Sequence, residues 1–389
     1  MYIQTVDQLT DLVAQLRGSA RLAIDTEFMR ERSYYPQLEI IQVATPQIEA
    51  IIDYPSVGQL APFDEILSAP ETLKVFHSGQ QDLEIFYNLL GQVPTPIFDT
   101  QVAAALVGMG AQVGYARLVE EVTGVTLQKS QTRTDWSRRP LSQSQLDYAL
   151  NDVRYLLPIH DSLTRQLSTQ GRLAWLDDEW ESMAQSETYQ RTPPQDAWQR
   201  VKGMHRLKGR RLALLQALAD WREREAMRSN RATSFVVRDE VLIDLVHRPP
   251  DSVSALHDIR GLHPREIRRN GEALLAALVR GQQLPREQWP SLPRSRGLSS
   301  GEKALVSLMQ SWLKARSDDT GIAASYLATT NELNELVQAT PAQRRRLPLM
   351  QGWRARLVGN DLVALLEGRA ALVWEPERGQ IQLLDEGGG

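Results

Sequence analysis

Leu22-Ala23-Ile24-Asp25-Thr26-Glu27-Phe28 decides how this chain reads. An apolar run leads into two acids separated by a single threonine. In a strand, side chains i and i+2 leave the same face, so Asp25 and Glu27 present their carboxylates side by side. Like charges held that close repel unless a proton or a cation lies between them. Oxygen donors of this kind suit hard divalent cations such as magnesium. A solvated strand end would show the same pair, so the reading turns on whether other acids join it.

The surrounding segments form a mixed α/β pattern. Residues 22–27, 39–44 and 48–53 read as short strands of a meander, and 73–76 as a fourth, buried strand. Ser78-Gly79-Gln80-Gln81 has the form of a capping box, followed by a helical stripe of Leu83, Phe86 and Leu90. A second box, Ser142 to Gln145, opens an amphipathic helix through Leu146, Ala149, Leu150, Val153 and Leu157. Asp82 falls in the first turn of the earlier helix, where an acid also suits the helix dipole. Tyr148 and Asp152 stand four apart on the later one, one above the other on its polar side.

The 389 residues allow two to three domains, and an apolar content of 42% supports packed cores. The absence of cysteine excludes disulfides, thiolate zinc sites and cysteine nucleophiles, and fits a reducing, cytoplasmic setting. The N-terminus lacks the pattern of a secretory signal, and no apolar run approaches membrane length, so no membrane association is expected. A net charge of −4 conceals an asymmetry. Residues 1–190 hold 13 Lys and Arg against 25 Asp and Glu, whereas residues 191–290 hold 19 against 12. The basic middle, not the acidic front, is suited to attract a polyanion.

After Pro193-Pro194 the pattern becomes helical, without convincing alternating strands. It also repeats. Leu214, Leu215, Leu218 and Trp221 recur 91 residues later as Leu305, Val306, Met309 and Trp312. Phe235, Leu242, Leu245 and Val246 recur at the same offset as Tyr326, Leu333, Leu336 and Val337. A shared tryptophan at a fixed offset indicates duplication, and two copies make two small all-α domains rather than a solenoid. The expected domains are therefore 1–170, a helix and linker over 171–204, helical domains over 205–285 and 295–370, and a tail over 371–389.

Four acids and a tyrosine thus occur in a fixed order: Asp25 and Glu27 on a strand, Asp82 at a helix start, Tyr148 and Asp152 on a late helix. At this point the chain resembles the DEDD exonuclease superfamily, in its tyrosine-bearing branch, and within it the ribonuclease D family. Asp25-Thr26-Glu27-Phe28 matches the first motif, and His77-Ser78-Gly79-Gln80-Gln81-Asp82-Leu83-Glu84 the second. Tyr148-Ala149-Leu150-Asn151-Asp152 matches the third. The stretch from Arg133 through Trp136 and Arg139 to Leu141 is similar to that family's lead into its third motif. The duplicated helices resemble the HRDC module shared by helicases and ribonuclease D.

The resemblance implies an α/β RNase H-like exonuclease domain, a mixed sheet with flanking helices, followed by two small all-α domains. It further implies a 3′-to-5′ exoribonuclease that releases 5′-mononucleotides, with precursor tRNA 3′ ends as substrate. Two divalent cations, Mg²⁺ or Mn²⁺, would be held by the acids. Asp25, Glu27 and Asp152 would bind one, and Asp25 would bridge to a second near Asp82, with Tyr148 orienting the attacking water. Among substrate-binding candidates, Thr26 lies inside the first motif, Phe28 could stack on a terminal base, and His77 could touch substrate or pack behind the strand. Lys129, Arg133, Arg138 and Arg139 are the one basic cluster in the acidic front and could grip phosphates near the site. Asp99 could be taken for a ligand but suits an N-cap better. Lys202, Arg206, Lys208, Arg210, Arg211, Arg265, Arg268 and Arg269 could hold the RNA body, with the second module shaping the path. A monomer is favoured. The residues alone leave open the same chemistry on DNA, or a non-catalytic nucleic-acid binder; a missing carboxylate would favour the latter, and none is missing.

Overall fold

A computed structural model describes residues 1–127, 134–292 and 296–385. They group into two compact units. The first comprises Met1–Glu27, Ile40–Tyr189 and Arg296–Gly389; the second comprises Phe28–Glu39 and Gln190–Ser295.

The first unit is built on a six-stranded sheet. Its strands are β1 (Tyr2–Ile3), β2 (Arg21–Met29), β3 (Gln37–Ala44), β4 (Glu49–Asp53), β5 (Leu73–Phe76) and β6 (Ile97–Asp99), in the order β1-β4-β3-β2-β5-β6. β3 pairs antiparallel with β4, while β2, β5 and β6 run parallel, with Ala23 opposite Val75 and Phe76 opposite Asp99. Two residues beyond the Ala23 register, Asp25 comes level with His77. The acids therefore leave the sheet at the carboxyl ends of its parallel strands, where βα connections gather functional groups.

Two helix starts bear on this edge. The helix Gln143–Arg154 begins with the expected box: Ser142 Oγ accepts from Gln145 N, and the Gln145 side chain accepts from Ser142 N. The expected stripe through Leu157 is interrupted at Tyr155, and a new helix runs Leu156–Thr169. Pro158 explains the break, because it has no N–H to continue the first ladder. The helix Gln80–Leu90 departs from expectation. Ser78 does not cap it; Gly79 is the N-cap residue and no side chain of its own bonds there. Ser78 instead adopts a left-handed φ of 57°. The amides of Ser78 and Gly79 are satisfied by Asp99, 21 and 20 residues away in sequence.

The duplication is present in the structure. Helices Thr233–Val236 and Asp239–His247 recur as Ala324–Leu327 and Thr330–Gln338, offset by 91 at both ends. Trp221 and Trp312 are both buried on the long helices Arg210–Ser229 and Ser300–Thr320. The two copies nevertheless belong to different units. The second shares one hydrophobic core with the nuclease sheet. Its Trp353, 1% exposed, stacks on Trp175 at 5.1 Å and donates Nε1–H to Glu179 at 2.8 Å. The first copy forms the second unit with the connection between β2 and β3. There Tyr34 donates its hydroxyl to Glu223 at 2.6 Å, and the Arg191 guanidinium lies 4.6 Å from both the Tyr34 and Tyr35 rings.

The segment expected as linker and tail is also more structured. Ala197, Trp198 and Val201 are buried in the second unit's core. The tail carries a hairpin, β7 (Ala370–Glu375) with β8 (Gln380–Asp385), which corrects the expectation of no strands after Pro194. Leu372, Ile381 and Leu383 pack inward while Val373, Trp374 and Leu384 are exposed. Apolar residues on both faces erase the alternation by which a strand is recognised.

Candidate active site

Asp25 and Glu27 reach the site from β2, Asp82 from the first turn of the Gln80–Leu90 helix, and Tyr148 and Asp152 from the Gln143–Arg154 helix. Asp82 is buried; the other four are half-buried. Their electrostatics show that they share one neighbourhood. Burial, then Asp82, Asp152 and Glu27, push the Asp25 carboxyl well above the usual range. Burial, with Asp152 and Asp82, pushes Glu27 up to about 8. Burial raises Asp82 and Asp152 each to about 7, although a hydrogen bond from Thr26 works against it at Asp82 and one from Tyr148 at Asp152. Tyr148 is raised as well, by burial and by Asp152, Glu27 and Asp25, so its phenol stays protonated at neutral pH.

Such a set is unstable as four anions and is relieved by protons or by cations. Its all-oxygen chemistry fits hard divalent ions. Among the described residues no three acidic or histidine side chains already stand in ligating geometry. A cleft of about 330 Å³ opens beside Tyr148 and Asp152, lined also by Leu127, Ser144, Asn151 and Tyr155.

The substrate-binding candidates separate. Thr26 is buried and donates its hydroxyl to Asp82 Oδ1, so it orients an acid rather than facing substrate. Phe28 is half-buried and joins neither hydrophobic core. The His77 ring lies 2.9 Å from Thr100 Oγ1 and 5.4 Å from the Tyr115 ring, and burial lowers its pKa. Arg139 is committed elsewhere: its Nε and Nη2 donate to Asp53 at 2.9 and 2.8 Å. The phosphate contact expected of Arg139 gives way to this pairing, because Asp53 is wholly buried and needs a counter-charge. Burial by itself would raise Asp53, but Arg139 and Tyr2 hold it below the usual carboxylate range. Arg138 pairs with Asp135 at 3.1 Å and is 84% exposed. Lys129 and Arg133 lie outside the described residues. The eight basic residues named for the first helical module are all exposed.

One residue and one set of contacts escaped the sequence reading. Tyr115, whose hydroxyl donates to Asn151 O at 2.8 Å, is close enough to Asp152 and Asp25 for both to raise it, after burial. Nothing in its local sequence marks it. Asp99 caps the helix Thr100–Val107 as expected, but its reach to Ser78 and Gly79 carries no sequence signal.

Comparison with known proteins agrees with this geometry. The 3′-5′ exonuclease family profile matches residues 1–168 and the HRDC domain profile residues 211–278. Ribonuclease D of Acidiphilium cryptum (strain JF-5) is 38% identical over 384 residues, covering 97% of this chain and 96% of that one. Ribonuclease D of Escherichia coli (strain K12) is 38% identical over 368 residues, covering 94% and 98%. The crystal structure of Escherichia coli RNase D, described as an exoribonuclease involved in structured RNA processing, superposes with a TM-score of 0.84 at 36% identity over 95% of this chain and 98% of that one. A protein from Bifidobacterium adolescentis, at 22% identity and a TM-score of 0.73, shares the fold. Four acids at one sheet edge, the nuclease and HRDC matches and near full-length relatives lead to one conclusion: the chain belongs to the ribonuclease D family of 3′-to-5′ exoribonucleases.

Proposed function

We propose that the chain trims structured RNA, precursor tRNA 3′ ends included, by divalent-cation-assisted hydrolysis that releases 5′-mononucleotides. The observation that carries this reading is the convergence of four acids from three elements on one neighbourhood, where Asp82 and Asp152 both act on Asp25 and on Glu27. Asp25, Glu27, Asp82 and Asp152 would hold two divalent cations, Mg²⁺ or Mn²⁺. When bound, the pair would neutralise charge on the attacking and leaving oxygens of the scissile phosphate. The protein's own groups do the positioning. Thr26 fixes one oxygen of Asp82. Tyr148, kept protonated and hydrogen-bonded to Asp152, orients water by a hydrogen bond rather than removing its proton. The exposed basic residues of the first helical module hold the RNA body by its phosphates. The nuclease segment 1–170 and the modules 205–285 and 295–370 are proposed as the functional divisions, acting as a monomer in the cytoplasm. No helix among the described residues is long and apolar enough to cross a membrane.

The test is incubation of the full chain with a 3′-tailed RNA and its DNA equivalent, with Mg²⁺, with Mn²⁺ and with chelator. Stepwise shortening of the RNA from its 3′ end, abolished by chelator, is expected. Equal loss of the DNA tail would shift the assignment to a general exonuclease. No product in any arm would leave only a binding role.

A further inference from the structure

Asp99 is a fifth acid beside the four. It ends β6, is 2% exposed, and belongs to none of the matched motifs. Its Oδ1 accepts from Ser78 N at 3.0 Å, from Gln101 N at 2.8 Å and from Val102 N at 3.4 Å, and its Oδ2 accepts from Gly79 N at 2.8 Å. A carboxylate offers about four lone-pair sites. Three backbone amides crowd Oδ1 and a fourth meets Oδ2, so most of the Asp99 carboxylate is spent on the backbone.

The neighbouring Thr100 completes a clasp on the same turn. Its hydroxyl donates to Phe76 O at 3.0 Å and lies 2.9 Å from His77 Nδ1. Residues 76–79 are thus held one after another by residues 99–100. The turn needs holding. Ser78 is a non-glycine residue at positive φ, and a Cβ on Gly79 would stand 2.6 Å from Phe76 Cβ. The helix Gln80–Leu90 has no side-chain cap of its own, so Asp99 fixes where it begins. Asp82 sits in that first turn, three residues past Gly79, with Thr26 holding its carboxyl from the other side.

We infer that Asp99 is a positioning residue for Asp82: it sets the start of the Gln80–Leu90 helix and thereby the place from which Asp82 meets a divalent cation. This rests on the reading of Asp82 as a cation ligand. Two substitutions divide Asp99's duties. Asp99→Ser retains an N-cap for the Thr100–Val107 helix but cannot span to both Ser78 and Gly79. Asp99→Asn keeps one carbonyl oxygen and turns an amide N–H₂ against one of the backbone N–H groups.

The experiment uses the full chain without RNA. Mn²⁺ binding is titrated by the loss of the free-ion paramagnetic resonance signal, and amide exchange is followed over residues 78–82. Asp82→Asn serves as reference. Asp99→Ser and Asp99→Asn are each expected to raise the Mn²⁺ concentration at half-saturation by about 10-fold or more, in the range found for groups that orient metal ligands. Exchange at residues 78–82 should accelerate by more than the overall loss of stability, read from the melting temperature, accounts for. With RNA present, the metal requirement should rise more than the rate at saturating Mn²⁺ falls. If both variants bind Mn²⁺ within about twofold of the parent while Asp82→Asn loses binding, Asp99 is a helix cap only and the inference fails. If Asp82→Asn itself binds Mn²⁺ normally, the assignment of Asp82 fails instead. Should Asp99→Asn not fold, Asp99→Ser alone decides between these outcomes.

Discussion

At the residue scale, the carboxylates set a conflict between stability and function. Glu27 at about 8 and Asp82 and Asp152 at about 7 bind protons more tightly in the native state than in the unfolded chain, where they would titrate near 4. Between roughly pH 4 and pH 8 the native state therefore carries more protons, and its stability falls as pH rises. Melting followed by circular dichroism in chelator should show a midpoint that decreases from pH 5 to pH 8; Mn²⁺ should restore it at pH 8 and do little at pH 5. A midpoint that rises over that interval would contradict the burial of these acids. By the same logic, Asp25→Asn removes an ill-placed charge. It should abolish turnover of a 3′-tailed RNA yet leave the metal-free melting temperature unchanged or higher. Tyr148→Phe keeps the ring and deletes the hydrogen bond. Its rate should drop by about 100-fold, with Mn²⁺ affinity much less affected, and parent-like kinetics would remove Tyr148 from the chemistry.

At the scale of elements, what was legible followed from local rules. The spacing of Asp25 and Glu27 on a strand, the Ser142 cap, and the stacking of Tyr148 over Asp152 all depend on residues within four positions of each other. The 91-residue repeat was legible because each copy keeps its own buried tryptophan. Features set by distant partners were not. Ser78 has the form of a cap, yet Asp99 supplies acceptors for two amides at once and wins the turn. Arg139 has the form of a phosphate ligand, yet Asp53, 86 residues earlier, takes its guanidinium. That pairing carries a prediction for the sheet. Arg139→Ala would leave a buried carboxylate with no counter-charge, only the hydroxyls of Tyr2 and Ser56, and should cost about 3 kcal/mol in urea unfolding. A loss below roughly 0.5 kcal/mol, ordinary for an exposed arginine, would return Arg139 to the substrate-binding candidates.

At the scale of the whole molecule, duplicated sequence has not produced equivalent partners. The first copy builds a unit with the β2–β3 connection, whereas the second is part of the nuclease core. The local pattern of helices cannot announce this, because the same apolar faces serve either arrangement; contacts such as Trp353 with Trp175 and Glu179 reveal it. Removing residues 296–389 should therefore lower the melting temperature of the nuclease sheet, and Trp353→Ala alone should cost about 3–5 kcal/mol. A truncated chain melting like the parent would show the second module to be dispensable. The first module's basic residues remain exposed, so RNA affinity of the full-length Asp25→Asn protein should fall roughly 10-fold or more between about 50 and about 200 mM salt.

The account stands on four carboxylates that need cations to coexist. Its most direct test is an anomalous difference map from a crystal of the full chain grown with manganese. Two peaks about 3.5–4 Å apart, enclosed by Asp25, Glu27, Asp82 and Asp152, are the predicted result. A map with manganese elsewhere and none among these side chains would contradict it.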